Sequence, residues 1–102
     1  MKRDTGQDRS RTSRWRPATQ AVRGGTWRSE QGETSEAIFL TSGYTYDSAE
    51  EVAARFAGEA TGMQYSRFQN PTVQMLEERI AAMEGAEACK VQASGMAAMT
   101  SA

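Results

Sequence analysis

Residues 88–98 read Ala88-Cys89-Lys90-Val91-Gln92-Ala93-Ser94-Gly95-Met96-Ala97-Ala98. The first five predict a short strand, Ser94-Gly95 predicts a tight turn, and the run from Met96 onward has the composition of a helix. A strand that turns through Ser-Gly into a helix is suited to hold an anion. The first amides of a helix have no acceptor within it, the helix dipole adds partial positive charge there, and glycine lets a ligand come close to the backbone. With Ser94 as N-cap, the amides of Gly95 and Met96 are the candidate donors. The fold class expected is α/β. The chain reaches Ala102 about two turns into this helix, which leads us to expect a folding unit longer than the piece in hand.

Upstream lies the most regular stretch. Asn70-Pro71 predicts an N-cap followed by proline at the first helical position, where a missing amide costs nothing. Val73, Leu76, Ile80 and Met83 then form one apolar stripe, Glu77, Glu78 and Arg79 fall outside it, and Gly85 closes the helix. A second helix is expected from about Ala49 to Ala57, ending at Gly58 or Gly62. Ser48 would cap the Glu51 amide while the Glu51 carboxylate reaches back to the Ser48 amide, and Val52 and Phe56 would share its apolar face. Between the helices, Tyr65-Ser66-Arg67 shows no helical period and reads as extended loop. Alternation would put a phenol and a guanidinium on the same side, a donor and a bidentate fork for a phosphate or carboxylate.

The N-terminal third differs from the rest. Residues 1–28 carry a balance of +6 and residues 29–102 one of −7. Up to Arg28 the only aliphatic residue larger than alanine, apart from Met1, is Val22, standing with Trp15 and Trp27 among Arg, Ser, Thr, Gln and Gly. Residues 1 to about 34 therefore read as an irregular basic arm, with no sustained helical period and too little apolar area to order themselves. We divide the chain into an extended basic arm over 1–45 and the beginning of a larger domain over 46–102. The arm would lie on an acidic neighbour in an oligomer. A different class of function is a small nucleic-acid-binding module, using the arm's charge with Trp15 and Trp27 as stacking residues.

One cysteine, Cys89, gives no internal disulfide, and no histidine is present to complete a metal site or a Cys/His pair. No apolar run approaches the roughly 18–20 residues that span a bilayer, and the N-terminus lacks the apolar core of a secretory leader. These features lead us to expect the cytosol. Cys89 reads as a small buried side chain and Lys90 as a solvated residue at a strand edge.

The two phosphate candidates gain weight together. Tyr65-Ser66-Arg67-Phe68-Gln69-Asn70-Pro71-Thr72, then Leu76-Glu77 and Glu84-Gly85, then Ala93-Ser94-Gly95-Met96-Ala97-Ala98 resemble the cysteine/methionine-metabolism family of pyridoxal-phosphate enzymes in both content and spacing. The resemblance runs from about Thr19 to the end. It implies the aspartate-aminotransferase-like fold (fold type I), with pyridoxal 5'-phosphate as cofactor. It further implies that Gly95 and Met96 give amides to the cofactor phosphate, and that Tyr65 and Arg67 reach the same phosphate in a neighbouring subunit. The arm would wrap a neighbour, and the whole enzyme would be a homo-oligomer, a dimer of dimers. Thr19-Gln20-Ala21-Val22-Arg23-Gly24-Gly25-Thr26, the run from Gly32 to Tyr44 and Ala53-Ala54-Arg55-Phe56 are most similar to the O-succinylhomoserine sulfhydrylase branch. That branch replaces succinate by sulfide to give homocysteine. Cystathionine γ-synthases and γ-lyases share the phosphate motifs. The resemblance puts the cofactor-bearing lysine beyond residue 102, so no catalytic residue is assigned in this piece. The polar lead-in Cys89-Lys90-Val91-Gln92 departs from the small, apolar strand expected there.

Overall fold

The computed structural model describes residues 2–3 and 14–102. Its elements, in chain order, are β1 (Lys2–Arg3), α1 (Pro17–Arg23), β2 (Trp27–Arg28), α2 (Ala49–Ala57), α3 (Pro71–Glu84) and α4 (Gly95–Ser101). β1 and β2 pair antiparallel, with Lys2 opposite Arg28 and Arg3 opposite Trp27.

Helix α3 is the centre of the packing. Asn70 caps it by accepting the Thr72 amide at 2.9 Å, Pro71 sits in the first turn, and Gly85 ends it in the left-handed conformation (φ 64°). α2 begins as expected, with Ser48 Oγ accepting the Glu51 amide at 3.1 Å, and ends at Gly58 (φ 77°). The reciprocal half of its capping box is shifted by one residue. The Glu51 carboxylate takes the amide of Asp47 at 2.9 Å, not that of Ser48. That bond, and after it the Arg55 guanidinium, hold the Glu51 carboxyl below its ordinary range against the opposing effect of burial.

Three expectations are corrected. The arm is not irregular throughout, because α1 occupies Pro17–Arg23. Proline at its start and Gly24 just past its end supply the helix punctuation, and its own sequence has no apolar stripe. Second, the apolar stripe of α3 is not its buried face. Val73, Leu76 and Met83 are exposed, while Met75, Glu77 and Ala81 are buried. The Met75 side faces the arm, while Glu77 turns to Lys90 and Val91. Met75 is 1% exposed and its Sδ accepts the Trp27 amide at 3.2 Å, and Trp27 is itself 4% exposed. Third, residues 88–92 run without regular secondary structure instead of forming a strand. A strand exists only through a ladder to a neighbour, and among the described residues no segment pairs with this one.

The arm is held to α3 by polar contacts as well. Arg79 Nε donates to the Gly24 carbonyl at 2.7 Å, its other nitrogen reaches Thr26 Oγ1 at 3.3 Å, and it pairs with Glu36. Burial lowers the pKa of Arg79. Trp27 Nε1 donates to Glu78 at 3.2 Å. Trp27 is therefore core, and its ring is not available to stack on a base, which removes half of the stacking pair that the nucleic-acid reading requires.

Residues 39–44 lie across the start of α3. Phe39 N–H donates to Thr72 Oγ1 at 2.9 Å, and Asn70 Nδ2 donates to the Phe39 carbonyl at 3.1 Å and to Ser66 Oγ at 3.0 Å. Asn70 is thus cap and staple at once, and it is buried. Asn70→Ala should cost about 1–3 kcal/mol, the sum of a lost cap and bonds left unmade. Asn70→Asp, which keeps the cap acceptor but loses the donor, should recover only part of it. Urea unfolding followed by helix circular dichroism measures both.

Candidate functional site

Tyr65 and Arg67 stand on a turn, not on the extended segment expected. The amides of Phe68 and Gln69 both donate to the Tyr65 carbonyl, at 2.9 and 3.0 Å. The turn is clamped from below. Tyr65 forms an antiparallel bridge with Gly43, the Ser66 amide donates to the Ser42 carbonyl at 2.9 Å, and Ser66 Oγ bonds the Thr41 carbonyl. Tyr44 Oη adds a bond to Gln69 O at 3.2 Å. The backbone is therefore fixed while the two candidate side chains face outward. The Arg67 guanidinium lies 5.3 Å from the Tyr65 ring centre and 5.4 Å from that of Phe68. Cation–π contact orients the fork without using its N–H donors. Among the described residues neither Arg67 nor the Tyr65 hydroxyl has a hydrogen-bond or ion-pair partner. Turn geometry thus brings the two residues together as the alternation argument intended, by a different route.

At the second candidate the cap and the helix start, though not the strand before them, have the expected geometry. Ser94 is extended (φ −152°, ψ 159°), its Oγ accepts the Ala97 amide at 3.2 Å and its carbonyl the Ala98 amide at 3.1 Å. The hydroxyl and the third and fourth amides are thereby used. The amides of Gly95 and Met96 remain, and among the described residues they find no acceptor. Gly95 opens onto free space, since a Cβ built there would meet nothing within 4 Å.

Lys90 is exposed as expected, but it is ion-paired: its Nζ lies 2.9 Å from Glu77 Oε2. Cys89 is half-buried, less than expected. Sequence reasoning did not find Ser66, Asn70 or Glu77 as supports of the site. Their polar bonds reach across 13 to 31 residues, and only the spacing of Asn70 before Pro71 gave a local sign.

Both candidate elements lie within one stretch that matches a family. Residues 18–102 match the family described as Cys/Met metabolism PLP-dependent enzyme, and the chain belongs to that family. Among its relatives, it is 56% identical over 81 residues to an O-succinylhomoserine sulfhydrylase of Pseudomonas aeruginosa, a match covering 79% of this chain and 20% of that one. To the O-succinylhomoserine sulfhydrylase of Mycobacterium tuberculosis it is 54% identical over 82 residues, 80% of this chain and 20% of the other. An L-methionine gamma-lyase of Porphyromonas gingivalis is 40% identical over 85 residues, 83% and 21% of the two chains. The chain spans about a fifth of the length of the curated relatives it matches.

Proposed function

We propose that this chain is the N-terminal portion of a pyridoxal-phosphate-dependent O-succinylhomoserine sulfhydrylase, and that it contributes the phosphate grip. The observation that carries the reading is the pair of acceptor-free amides at Gly95 and Met96 on an open glycine turn, in a chain 56% identical over 81 residues to a curated sulfhydrylase. The donor set suits a phosphate ester. Two backbone N–H groups at a helix start, backed by an N-cap whose own hydroxyl is engaged, offer hydrogen bonds and partial positive charge without a counter-charge of their own.

Gly95 and Met96 would hold the phosphate within one subunit, and Tyr65 and Arg67 would close on the phosphate of a neighbour. Outward-facing, unpaired side chains on a rigid turn are suited to a group supplied from outside the local packing. When bound, pyridoxal phosphate supplies an electron sink for reactions of an amino acid at its α- and γ-carbons. The residues named here position that group, and proton transfer falls to other parts of the whole enzyme. The substrates are O-succinylhomoserine and sulfide, the assembly is a homo-oligomer, and the compartment is the cytosol. The closer match to sulfhydrylases (54–56%) than to L-methionine gamma-lyases (38–48%) favours this branch.

The test uses a whole protein that carries this N-terminal segment. Homocysteine should form from O-succinylhomoserine and sulfide, faster than L-methionine is broken down. The reverse order would move the protein to the lyase branch. The 102-residue chain alone should turn over neither substrate.

A further inference from the structure

Glu77 is the one carboxylate on α3 that is turned inward. It is 8% exposed, and a buried carboxylate is costly unless each oxygen is satisfied. Here both are. Oε1 accepts the Val91 amide at 3.2 Å and Oε2 accepts Lys90 Nζ at 2.9 Å. The two donors belong to the segment that leads into the Ser94 turn. Among the described residues, no backbone hydrogen bond joins residues 88–93 to any other segment. Extended chain covers about 3.3 Å per residue, so an untethered segment would leave the turn free to wander by several ångströms. Useful contact to a ligand requires placement within about 0.5 Å.

We propose that Glu77 is a positioning residue for the phosphate turn: by holding the Val91 amide it fixes where the Gly95 and Met96 amides stand relative to α3. This rests on the reading of that turn as a phosphate grip. The Val91 bond is the hook, and Lys90 is a minor partner, because its side chain is 68% exposed and an exposed ion pair contributes little.

The experiment follows the amide resonances of Gly95 and Met96, isotopically labelled, in a whole protein that carries this segment, stripped of cofactor and titrated with pyridoxal phosphate. Glu77→Met keeps volume and helix propensity but removes the acceptor, and it should weaken binding about tenfold or more. Glu77→Gln, which can still accept from Val91, and Lys90→Met should each stay within about threefold of the original. Helix circular dichroism should be alike in all four proteins. Unchanged affinity in Glu77→Met overturns the proposal, as does a loss of helix content that accompanies its weaker binding. Silent Gly95 and Met96 amides in the unaltered chain would instead overturn the phosphate reading itself, and Glu77 would fall with it.

Discussion

Gly25→Val should separate the arm from α3. Gly25 has φ +68°, and a Cβ built there would stand 2.8 Å from the Met75 carbonyl oxygen, 3.0 Å from the Arg79 amide nitrogen and 3.0 Å from Glu78 Cβ. Two of the three obstacles are helix backbone and cannot swing aside. A side chain at positive φ costs about 1–2 kcal/mol, and forcing atoms into a filled contact costs about 1–3 kcal/mol more. The expected loss is about 2–5 kcal/mol, a large part of the stability of any small domain. Gly32→Val is the control. Gly32 has φ +66°, but a Cβ there meets nothing within 4 Å, so only the backbone part should be lost. Urea unfolding followed by Trp27 fluorescence, with Trp15→Phe in every protein, reads both. Equal midpoints for the two variants would mean that the arm does not pack on α3 as described.

That contact also explains what the sequence conveyed and what it withheld. The ends of α2, α3 and α4 were legible because their caps are local. Ser48, Asn70 and Ser94 each bond an amide two or three residues on, and Gly58 and Gly85 mark stops. α1 was missed for the converse reason. Its punctuation is present at Pro17 and Gly24, but what holds it in place is Arg79, 55 residues from Gly24. Periodicity announced an apolar face on α3 without saying what would cover it. Met75 packs because Trp27 and Gly25 come to its side of the helix. Residues 88–92 looked like a strand because short mixed-apolar runs do, yet a carboxylate holds them where a ladder was expected.

The site divides in the same way. The Ser94 turn depends on three adjacent residues and was readable from them. The Tyr65 and Arg67 pair was readable as chemistry but not as conformation. Its turn is imposed by Ser42, Gly43 and Asn70, and no short window contains them all.

Replacing Tyr65 and Arg67 together by alanine, in a whole protein that carries this segment, should reduce affinity for pyridoxal phosphate by about 100–1000-fold. A hydrogen bond to a charged group contributes about 1.5–3 kcal/mol, and a neutral donor about 1 kcal/mol. Arg67→Lys should recover only part, because an ammonium keeps the charge but lacks the planar fork. Folding should be unaffected, since both side chains are exposed and neither makes a hydrogen bond among the described residues. Cofactor titration of the stripped protein gives the affinity. Mixing decides whether the pair acts within a subunit or across subunits. Gly95→Asp puts a negative charge at the turn where a side chain meets no steric obstacle, so it should block the phosphate without unfolding the chain. If the pair acts across subunits, a hybrid of the Tyr65/Arg67 variant with the Gly95→Asp variant holds one site that is intact in every part: the turn from the first chain and the pair from the second. Co-expression should then restore cofactor binding at up to half the sites. If the pair acts within its own subunit, every site in the hybrid is damaged and mixing restores none.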